Sequence, residues 1–211
     1  MRSPRAQNES DARALRVRAD RLELENGDLR TRIEDLERMN RRLARLAVTD
    51  ELTGLPNHRS FRDSLSREIK RALRDGGALA LVLLDIDDFK HLNDTHGHAV
   101  GDAILARVAQ VMRGELREVD LLARYGGEEF VLLAPGTTLR GAIAIAEKIR
   151  LSVSRASFSV ISLEGPLVLR VTVSAGVAQF TGDDRRLFND ADRALYAAKS
   201  AGKDCVQTSS A

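Results

Sequence analysis

Cysteine and long apolar runs are nearly absent from this sequence. The 211 residues include one cysteine, Cys205, so an internal disulfide is excluded, and a single thiol is typical of a reducing compartment. The longest apolar run, residues 78–84, is far too short to span a bilayer. The first ten residues, MRSPRAQNES, lack the apolar core of a signal peptide. We therefore expect a cytoplasmic protein with no membrane partner.

The sequence also lacks the patterns of several common binding sites. Its 33 basic and 31 acidic side chains are mixed along the chain rather than gathered into one basic face, so nucleic acid is not a predicted partner. No cysteine or histidine cluster has the spacing of zinc ligands, and no GxxxxGK[ST] phosphate loop occurs. A hydrophobic content of 43% is ordinary for a globular chain, and the length suggests one domain plus an additional segment.

Leucine recurs every seven residues near the N-terminus, which is typical of a coiled coil. The stripe consists of Leu15, Leu22, Leu29, Leu36 and Leu43. With these at heptad position d, position a holds Ala12, Ala19, Asn26, Ile33, Asn40 and Ala47. Four pairs of g and e positions that face each other in a parallel dimer are of opposite sign, namely Asp11–Arg16, Arg18–Glu23, Glu25–Arg30 and Arg32–Glu37. We predict a flexible segment over residues 1–11 and a parallel homodimeric coiled coil over residues 12–48.

Alternatives stay open for this segment. One is a single amphipathic helix lying on its own domain, although the narrow stripe favours the dimer. In addition, Leu36, Met39, Leu43 and Leu46 form a second register that competes with the first, either as a signalling switch or as a splayed end of the coiled coil. Because no sensor-length segment precedes the stripe, we expect either a fragment of a longer protein or a coiled coil that itself receives the signal.

Residues 49–211 show alternating helix and strand patterns. The periodicity predicts helices over 58–75 (capped by Asn57), 98–116, 142–153 and 185–201, a buried strand over 78–86, and a polar loop between that strand and the second helix. Two strands surround a turn within 121–134, two long strands within 157–180 turn at 164–166, and a short strand lies near Cys205. The two hairpins argue against an all-parallel sheet. The expected fold class is α+β, with a mixed sheet flanked by helices.

Carboxylates follow two of these predicted strands. Alternation after the first strand sends Asp85 and Asp87 to one side and Ile86 to the other. Glu128 and Glu129 follow two glycines at the first hairpin. If the two strands are neighbours, these oxygen ligands suit magnesium or manganese. The alternatives are a solvated loop after the strand and an acidic surface turn.

Five segments then carry recognisable motifs in a fixed order. They are DELTGLPNHRSF (50–61), LDIDDFKHLNDTHGHAVGD (84–102), RYGGEEF (124–130), VTVSAGVA (171–178) and ADRALYAAKSAGKD (191–204). Together they resemble the GGDEF domains of diguanylate cyclases, in the variant with glutamate at the third signature position. The resemblance covers residues 49–207. It implies a fold like the palm of nucleotidyl cyclases and polymerases, and condensation of two GTP into cyclic di-GMP by two facing subunits with release of two pyrophosphates.

The resemblance also implies roles for individual residues. Asp85, Glu128 and the carbonyl of Ile86 match the ligands of two Mg²⁺ (or Mn²⁺) ions in each half-site. Glu128 matches the acceptor of the 3′-hydroxyl proton, and Glu129 is expected either to bind metal or to support the loop. The matching substrate contacts are Asn93 and Asp102 for guanine, Lys90, Lys199 and Lys203 for phosphate, the backbone amides of Asp88 and Phe89, and the flexible Gly126 and Gly127. His98 is either a ribose contact or an ordinary residue at a helix start.

A regulatory motif is implied as well. Arg117 and Asp120 form an RxxD at the family's offset from the signature, which implies an inhibitory site for cyclic di-GMP. The predicted function is thus a product-inhibited, homodimeric diguanylate cyclase. The alternatives are a catalytically idle module that binds GTP or cyclic di-GMP, and a coiled-coil scaffold. The presence of Asp85, Glu128 and Glu129 favours the enzyme over both.

Overall fold

The structure is a computed structural model that describes residues 27, 32–36, 38–39, 48–162 and 165–209. The chain divides into two units, Met1–Ala47 and Val48–Ala211. In the first unit the described residues are helical, and Asp35 and Arg38 form an exposed ion pair at 3.7 Å. Most of the leucine stripe and all of the flexible segment predicted for residues 1–11 lie outside the described residues. The coiled coil therefore stays a prediction.

The second unit alternates helices and strands. Its elements are α1 (His58–Asp75), β1 (Leu79–Ile86), α2 (Phe89–His96), α3 (His98–Gly114), β2 (Leu121–Gly126), β3 (Glu129–Pro135), α4 (Leu139–Arg155), β4 (Phe158–Ser162), β5 (Gly165–Leu169), β6 (Val173–Gln179), α5 (Asp184–Ser200) and β7 (Val206–Thr208). Helix ends follow capping chemistry. Asn57 accepts a hydrogen bond from the Ser60 amide at the start of α1, as predicted, and Gly76 ends that helix with a φ of 67°.

A five-stranded sheet in the order β2-β3-β1-β6-β7 forms the centre of this unit. All neighbouring pairs are antiparallel except β6 and β7. Strand β1 is buried along its whole length, which explains its continuous apolar sequence. The α+β fold with a mixed sheet flanked by helices is confirmed.

The two faces of the sheet are covered by different helices. Alternate β1 residues such as Val82 and Leu84 pack into the cluster that contains the buried side chains of α3 and α4. The intervening residues, such as Leu81 and Leu83, pack with the buried side chains of α1 and α5. Since Asp85 continues the second series, its side chain faces the α5 side of the sheet.

The structure corrects the sequence analysis in two places. The predicted polar loop after β1 contains the helix α2, which is anchored by buried Phe89 and half-buried Leu92 although its other residues are polar. Residues 157–180 form three strands rather than two. Among the described residues, β4 and β5 pair with each other and with no further strand, and β6 begins afterwards and joins the main sheet. Pattern alone does not show that the chain leaves one sheet and enters another.

No helix in the part of the chain that the structure describes is both long and apolar enough to cross a membrane.

Candidate active site

Antiparallel pairing of β1 with β3 brings the predicted carboxylates to one edge. Asp85 lies directly opposite Glu129, so their side chains project from the same face of the sheet. The amide of Ile86 donates to the carbonyl of Glu128 at 3.4 Å. Asp85 is buried, Glu128 is half-buried and Glu129 is exposed. The convergence expected from neighbouring strands is present, and Glu129 is the direct cross-strand neighbour of Asp85.

Lys199 lies against this cluster. Its Nζ is 2.8 Å from Oδ2 of Asp85. Burial raises the pKa of the Asp85 carboxyl, Lys199 lowers it, and the nearby charges of Glu128 and Glu129 raise it, so the pKa is raised overall. Lys199 therefore partly neutralises a site with three carboxylates. It lies on the last turn of α5, which explains how a residue 114 positions away from Asp85 reaches it.

Asp87 is held by structural contacts instead. Its carboxylate accepts hydrogen bonds from the hydroxyls of Thr172 and Ser174, both at 2.6 Å, and from the amide of Asp204 at 3.1 Å. It thereby ties the end of β1 to β6 and to the loop after α5. With both oxygens engaged, Asp87 holds these segments of the fold together.

The loop after α5 and the start of α2 share an unusual backbone conformation. Asp88, Lys203 and Asp204 have φ values of 55°, 65° and 44°. Lys203 binds Oδ1 of Asp88 at 2.5 Å, and Asp204 pairs with Arg150 at 2.8 Å. Strained non-glycine backbone that persists because neighbouring contacts hold it is common at functional sites. The predicted phosphate contacts Lys203, Asp88 and Phe89 thus meet in one place, while the exposed Lys90 follows on α2.

The glutamates follow a turn that an arginine clamps. Gly127 has a φ of 50°, and a register shift between Arg124 and Gly126 marks a bulge. Arg124 donates from Nε and Nη2 to the carbonyl of Gly127 at 2.9 and 2.8 Å. Its Nη1 donates to both oxygens of Asp50 at 3.2 and 3.1 Å. Gly127 supplies the left-handed residue of the turn, Gly126 ends β2, and Arg124 fixes the position of the turn.

The predicted guanine contacts lie on α2 and α3. Asn93 is half-buried on α2, and exposed Asp102 and His98 belong to the first turns of α3. Gly97, with a φ of 84°, ends α2 and begins α3, so a single residue connects the two helices. Asn93 supplies an amide and Asp102 a carboxylate, which together offer donors and acceptors for a base edge.

The RxxD motif forms the turn between α3 and β2. Asp120 is buried, and its Oδ2 accepts from the amide of Arg117 at 3.1 Å. Its carbonyl accepts from Arg113 at 3.1 Å, while Oδ1 is buried without a partner. A cavity of about 570 Å³ lies between this turn, the end of α3 and residues 53–56. Arg117 itself is exposed. Of the two motif residues, Arg117 is accessible and Asp120 shapes the turn.

The donor set at the sheet edge suits a divalent cation. Its atoms are carboxylate and carbonyl oxygens, which hard cations prefer. A group of three His, Cys, Asp or Glu side chains already arranged around an ion is not found among the described residues. The contact of Lys199 with Asp85 nevertheless shows a positive charge held at this carboxylate. The residues therefore fit a cation such as magnesium.

Comparison with known proteins identifies the family. The family model described as "Diguanylate cyclase, GGDEF domain" matches residues 47–205. The chain belongs to the GGDEF family. Since every predicted site residue lies within this range, the GGDEF match covers the whole candidate site.

Named GGDEF proteins give the same result. The chain is 43% identical over 163 residues to "Diguanylate cyclase DgcP" of Pseudomonas aeruginosa, which covers 76% of this chain and 24% of DgcP. It is 43% identical over 164 residues to "Response regulator PleD" of Caulobacter vibrioides, covering 76% of this chain and 36% of PleD. The chain thus spans well under half the length of these two relatives. The solved coiled coil and GGDEF domain of DgcB from Caulobacter crescentus, in complex with c-di-GMP, superposes with a TM-score of 0.77 at 33% identity, covering 88% of this chain and 98% of DgcB's.

The sequence analysis did not predict that Arg124 and Asp50 hold the turn of this GGDEF site in place. Arg124 and Asp50 are 74 residues apart and share no periodic pattern. A local signal existed only for Asp50, whose side chain accepts from the amide and hydroxyl of Thr53 three residues later. That is the usual turn behaviour of aspartate. Its contact with Arg124 depends on the position of β2 beside the turn at residues 51–53. Only the fold shows that position.

Proposed function

We propose that this chain is a diguanylate cyclase that condenses two GTP molecules into cyclic di-GMP and releases two pyrophosphates. The observation that carries the proposal is the convergence of Asp85, Glu128 and Glu129 at one sheet edge in a chain of the GGDEF family. Carboxylates that meet beside lysines and a helix start are suited to phosphoryl transfer from a nucleotide, where positioning and charge neutralisation dominate catalysis.

The substrate is held in two parts. Asn93 and Asp102 read the base, since Asp102 accepts from the N1–H and N2–H₂ groups of guanine and Asn93 donates to an acceptor. His98, exposed at the start of α3, is placed for the ribose. The triphosphate lies against Lys90, Lys199 and Lys203, with the amides of Asp88 and Phe89 at the start of α2 as further donors. Gly126 and Gly127 let the nucleotide approach the turn closely.

Asp85, the Ile86 carbonyl and Glu128 are the proposed ligands of two Mg²⁺ or Mn²⁺ ions. When bound, the ions stabilise the attacking and leaving oxygens of the displacement. The 3′-oxygen of one GTP forms a bond to the α-phosphorus of the other, and the bond from that phosphorus to the pyrophosphate oxygen breaks. Glu128 accepts the hydroxyl proton, and Glu129, opposite Asp85, supports the cluster. Each chain supplies half of the reaction, so the active species is a homodimer joined through residues 12–48.

The apolar residues of the N-terminal helix support the dimer. Ile33 and Leu36, at positions a and d of the predicted heptads, are 55% and 69% exposed in the single chain. A second copy of the stripe would cover them. Inhibition by cyclic di-GMP through the RxxD turn is also part of the proposal. Exposed Arg117 suits the phosphate or base edge of the product, and Asp120 holds the turn in shape.

The proposal is tested by incubating the protein with GTP and Mg²⁺ and analysing the products by chromatography. We expect cyclic di-GMP and pyrophosphate in a 1:2 ratio. Glu128→Gln should abolish the product while the dimer persists in light scattering. The matched control is Glu68→Gln on α1, outside the site, which should retain activity. Binding of GTP without product at any protein concentration would show the idle module instead.

A further inference from the structure

Gly101 is an unusual residue for the interior of a helix. It lies within α3, is buried, and its backbone is not in the left-handed region. Glycine destabilises a helix interior relative to alanine because it loses more conformational freedom on folding. Neither backbone conformation nor helix propensity therefore explains a glycine at this position. The remaining explanation is the limited space around it.

That space is taken by Asn93. A Cβ placed on Gly101 would lie 1.9 Å from Oδ1 of Asn93 and 2.9 Å from its Cγ. Phe89 comes next, with its Cζ at 3.2 Å. The first two distances are far inside van der Waals contact, and the third requires only a small adjustment. The side chain of Asn93 thus occupies the volume that any other residue at position 101 would fill.

This contact also orients the amide of Asn93. Its Oδ1 is buried and has no hydrogen-bond partner, although the residue as a whole is half-exposed. The oxygen is therefore turned inward against Gly101, and the Nδ2 donor is the end of the amide that a ligand can reach. A buried carbonyl oxygen without a partner is costly, so the arrangement needs a reason beyond packing.

We propose that Gly101 is a specificity-determining positioning residue. Because Gly101 leaves the Cβ position empty, Asn93 can present its amide donor to the base. The carboxylate of Asp102, the next residue on α3, presents an acceptor beside it. The pair is thus suited to guanine, which has a hydrogen-bond acceptor at a position where adenine has none. The inference rests on the proposed function, because it assigns Gly101 to the reading of GTP. It acts through Asn93 and touches no substrate itself.

The experiment measures binding of non-cleavable α,β-methylene analogues of GTP and ATP by calorimetry. Gly101→Ala should weaken the GTP analogue about tenfold, the loss expected for one hydrogen bond to the base, and leave the ATP analogue unchanged. The matched control is Gly114→Ala at the other end of α3, where nothing lies within 4 Å of the added Cβ. That variant should keep the preference of the wild type.

A double-mutant cycle separates positioning from simple misfolding. Asn93→Ala removes the clashing side chain and should itself weaken the GTP analogue. Adding Gly101→Ala to it should cause no further loss, and should raise the melting temperature above that of Gly101→Ala alone. If Gly101→Ala fails to fold, recovery of folding in the double variant still shows that Asn93 is the obstacle. A double variant as unstable as Gly101→Ala overturns the inference.

The outcomes also separate the inference from the proposed function. Wild-type protein that binds the GTP analogue, with a Gly101→Ala variant that keeps full discrimination against the ATP analogue, refutes only the role of Gly101. Wild-type protein that binds neither analogue refutes the proposed function and the inference together.

Discussion

At the scale of single residues, the contact between Lys199 and Asp85 has opposite consequences for the metal-free and the metal-bound protein. Without metal, the ammonium compensates a carboxylate that is only 7% exposed. A cation that binds Asp85 must displace this ammonium. Since Lys199 is also a proposed phosphate contact, its release towards the substrate would couple metal binding to nucleotide binding.

We predict that Lys199→Met destabilises the metal-free protein by about 1–3 kcal/mol, because it leaves a buried carboxylate without its hydrogen-bonding partner. Adding Mn²⁺ should then raise the melting temperature of the variant more than that of the wild type, since no ammonium competes for Asp85. The measurement is a thermal melt with and without Mn²⁺. Lys203→Met, which removes the partner of exposed Asp88, is the control and should keep the wild-type shift. Equal Mn²⁺ shifts in all three proteins would contradict the displacement.

The residues of the candidate site could largely be identified from the sequence, but their contacts could not. Asp85 and Glu128 follow strand patterns, and Asn93 and Asp102 belong to a recognisable segment. The position of Glu129 opposite Asp85 depends on strand register. The engagement of Asp87 with Ser174 and Thr172 depends on β6, which lies more than 80 residues away in sequence. Contacts over such separations carry no local pattern.

At the scale of elements, the ion pair between Asp50 and Arg124 joins the turn at residues 51–53 to the β2–β3 hairpin that carries the glutamates. Burial raises the pKa of the Asp50 carboxyl, but the hydrogen bonds from Thr53 and the charge and hydrogen bond of Arg124 outweigh it, so the pKa is lowered. A lowered pKa in the folded state stabilises the protein above the unfolded value near 3.9, and this stabilisation is lost as the pH falls through the folded value.

We predict that Asp50→Asn lowers the stability at pH 7 by about 1.5–3 kcal/mol, the range for hydrogen bonds to a charged group. The difference from wild type should shrink as the pH falls below about 4, because the wild-type carboxyl then also becomes neutral. Urea unfolding at several pH values measures it. Asp75→Asn removes a carboxylate that pairs with Arg74 at the surface, and is expected to leave stability unchanged. A pH-independent deficit in Asp50→Asn would count against the ion pair.

Element types were more predictable than their assembly. Long periodic segments such as α1 and the buried β1 are found where the sequence predicts them. Helix α2 was missed because its eight residues are mostly polar and its stability comes from packing of Phe89. The separate pairing of β4 with β5 was missed because residues 170–172, which separate β5 from β6, contain no glycine or proline that would mark a break between two strands. Tertiary contacts decide both cases.

At the scale of the whole molecule, the proposed product requires two copies of the chain. Cyclic di-GMP contains two identical linkages, and each described catalytic unit contains one cluster formed by Asp85, Glu128 and Glu129. Two such units related by a two-fold axis would each hold one GTP whose 3′-hydroxyl attacks the other, which matches the symmetry of most homodimers. The leucine stripe would keep the two units at a high effective concentration.

We predict that Leu22→Ala combined with Leu29→Ala reduces cyclic di-GMP synthesis most strongly at low protein concentration. The substitutions weaken the predicted seam and leave the catalytic unit intact, so raising the protein concentration should restore the rate per chain. Initial rates measured across a hundredfold range of protein concentration, together with sedimentation velocity, test this expectation. Leu24→Ala is the matched control, since this leucine lies at position f, outside the stripe. The rate per chain of this variant should equal that of the wild type at every protein concentration. If the double variant loses no activity at any concentration, the catalytic units meet without the coiled coil, and the predicted dimerisation through residues 12–48 is wrong.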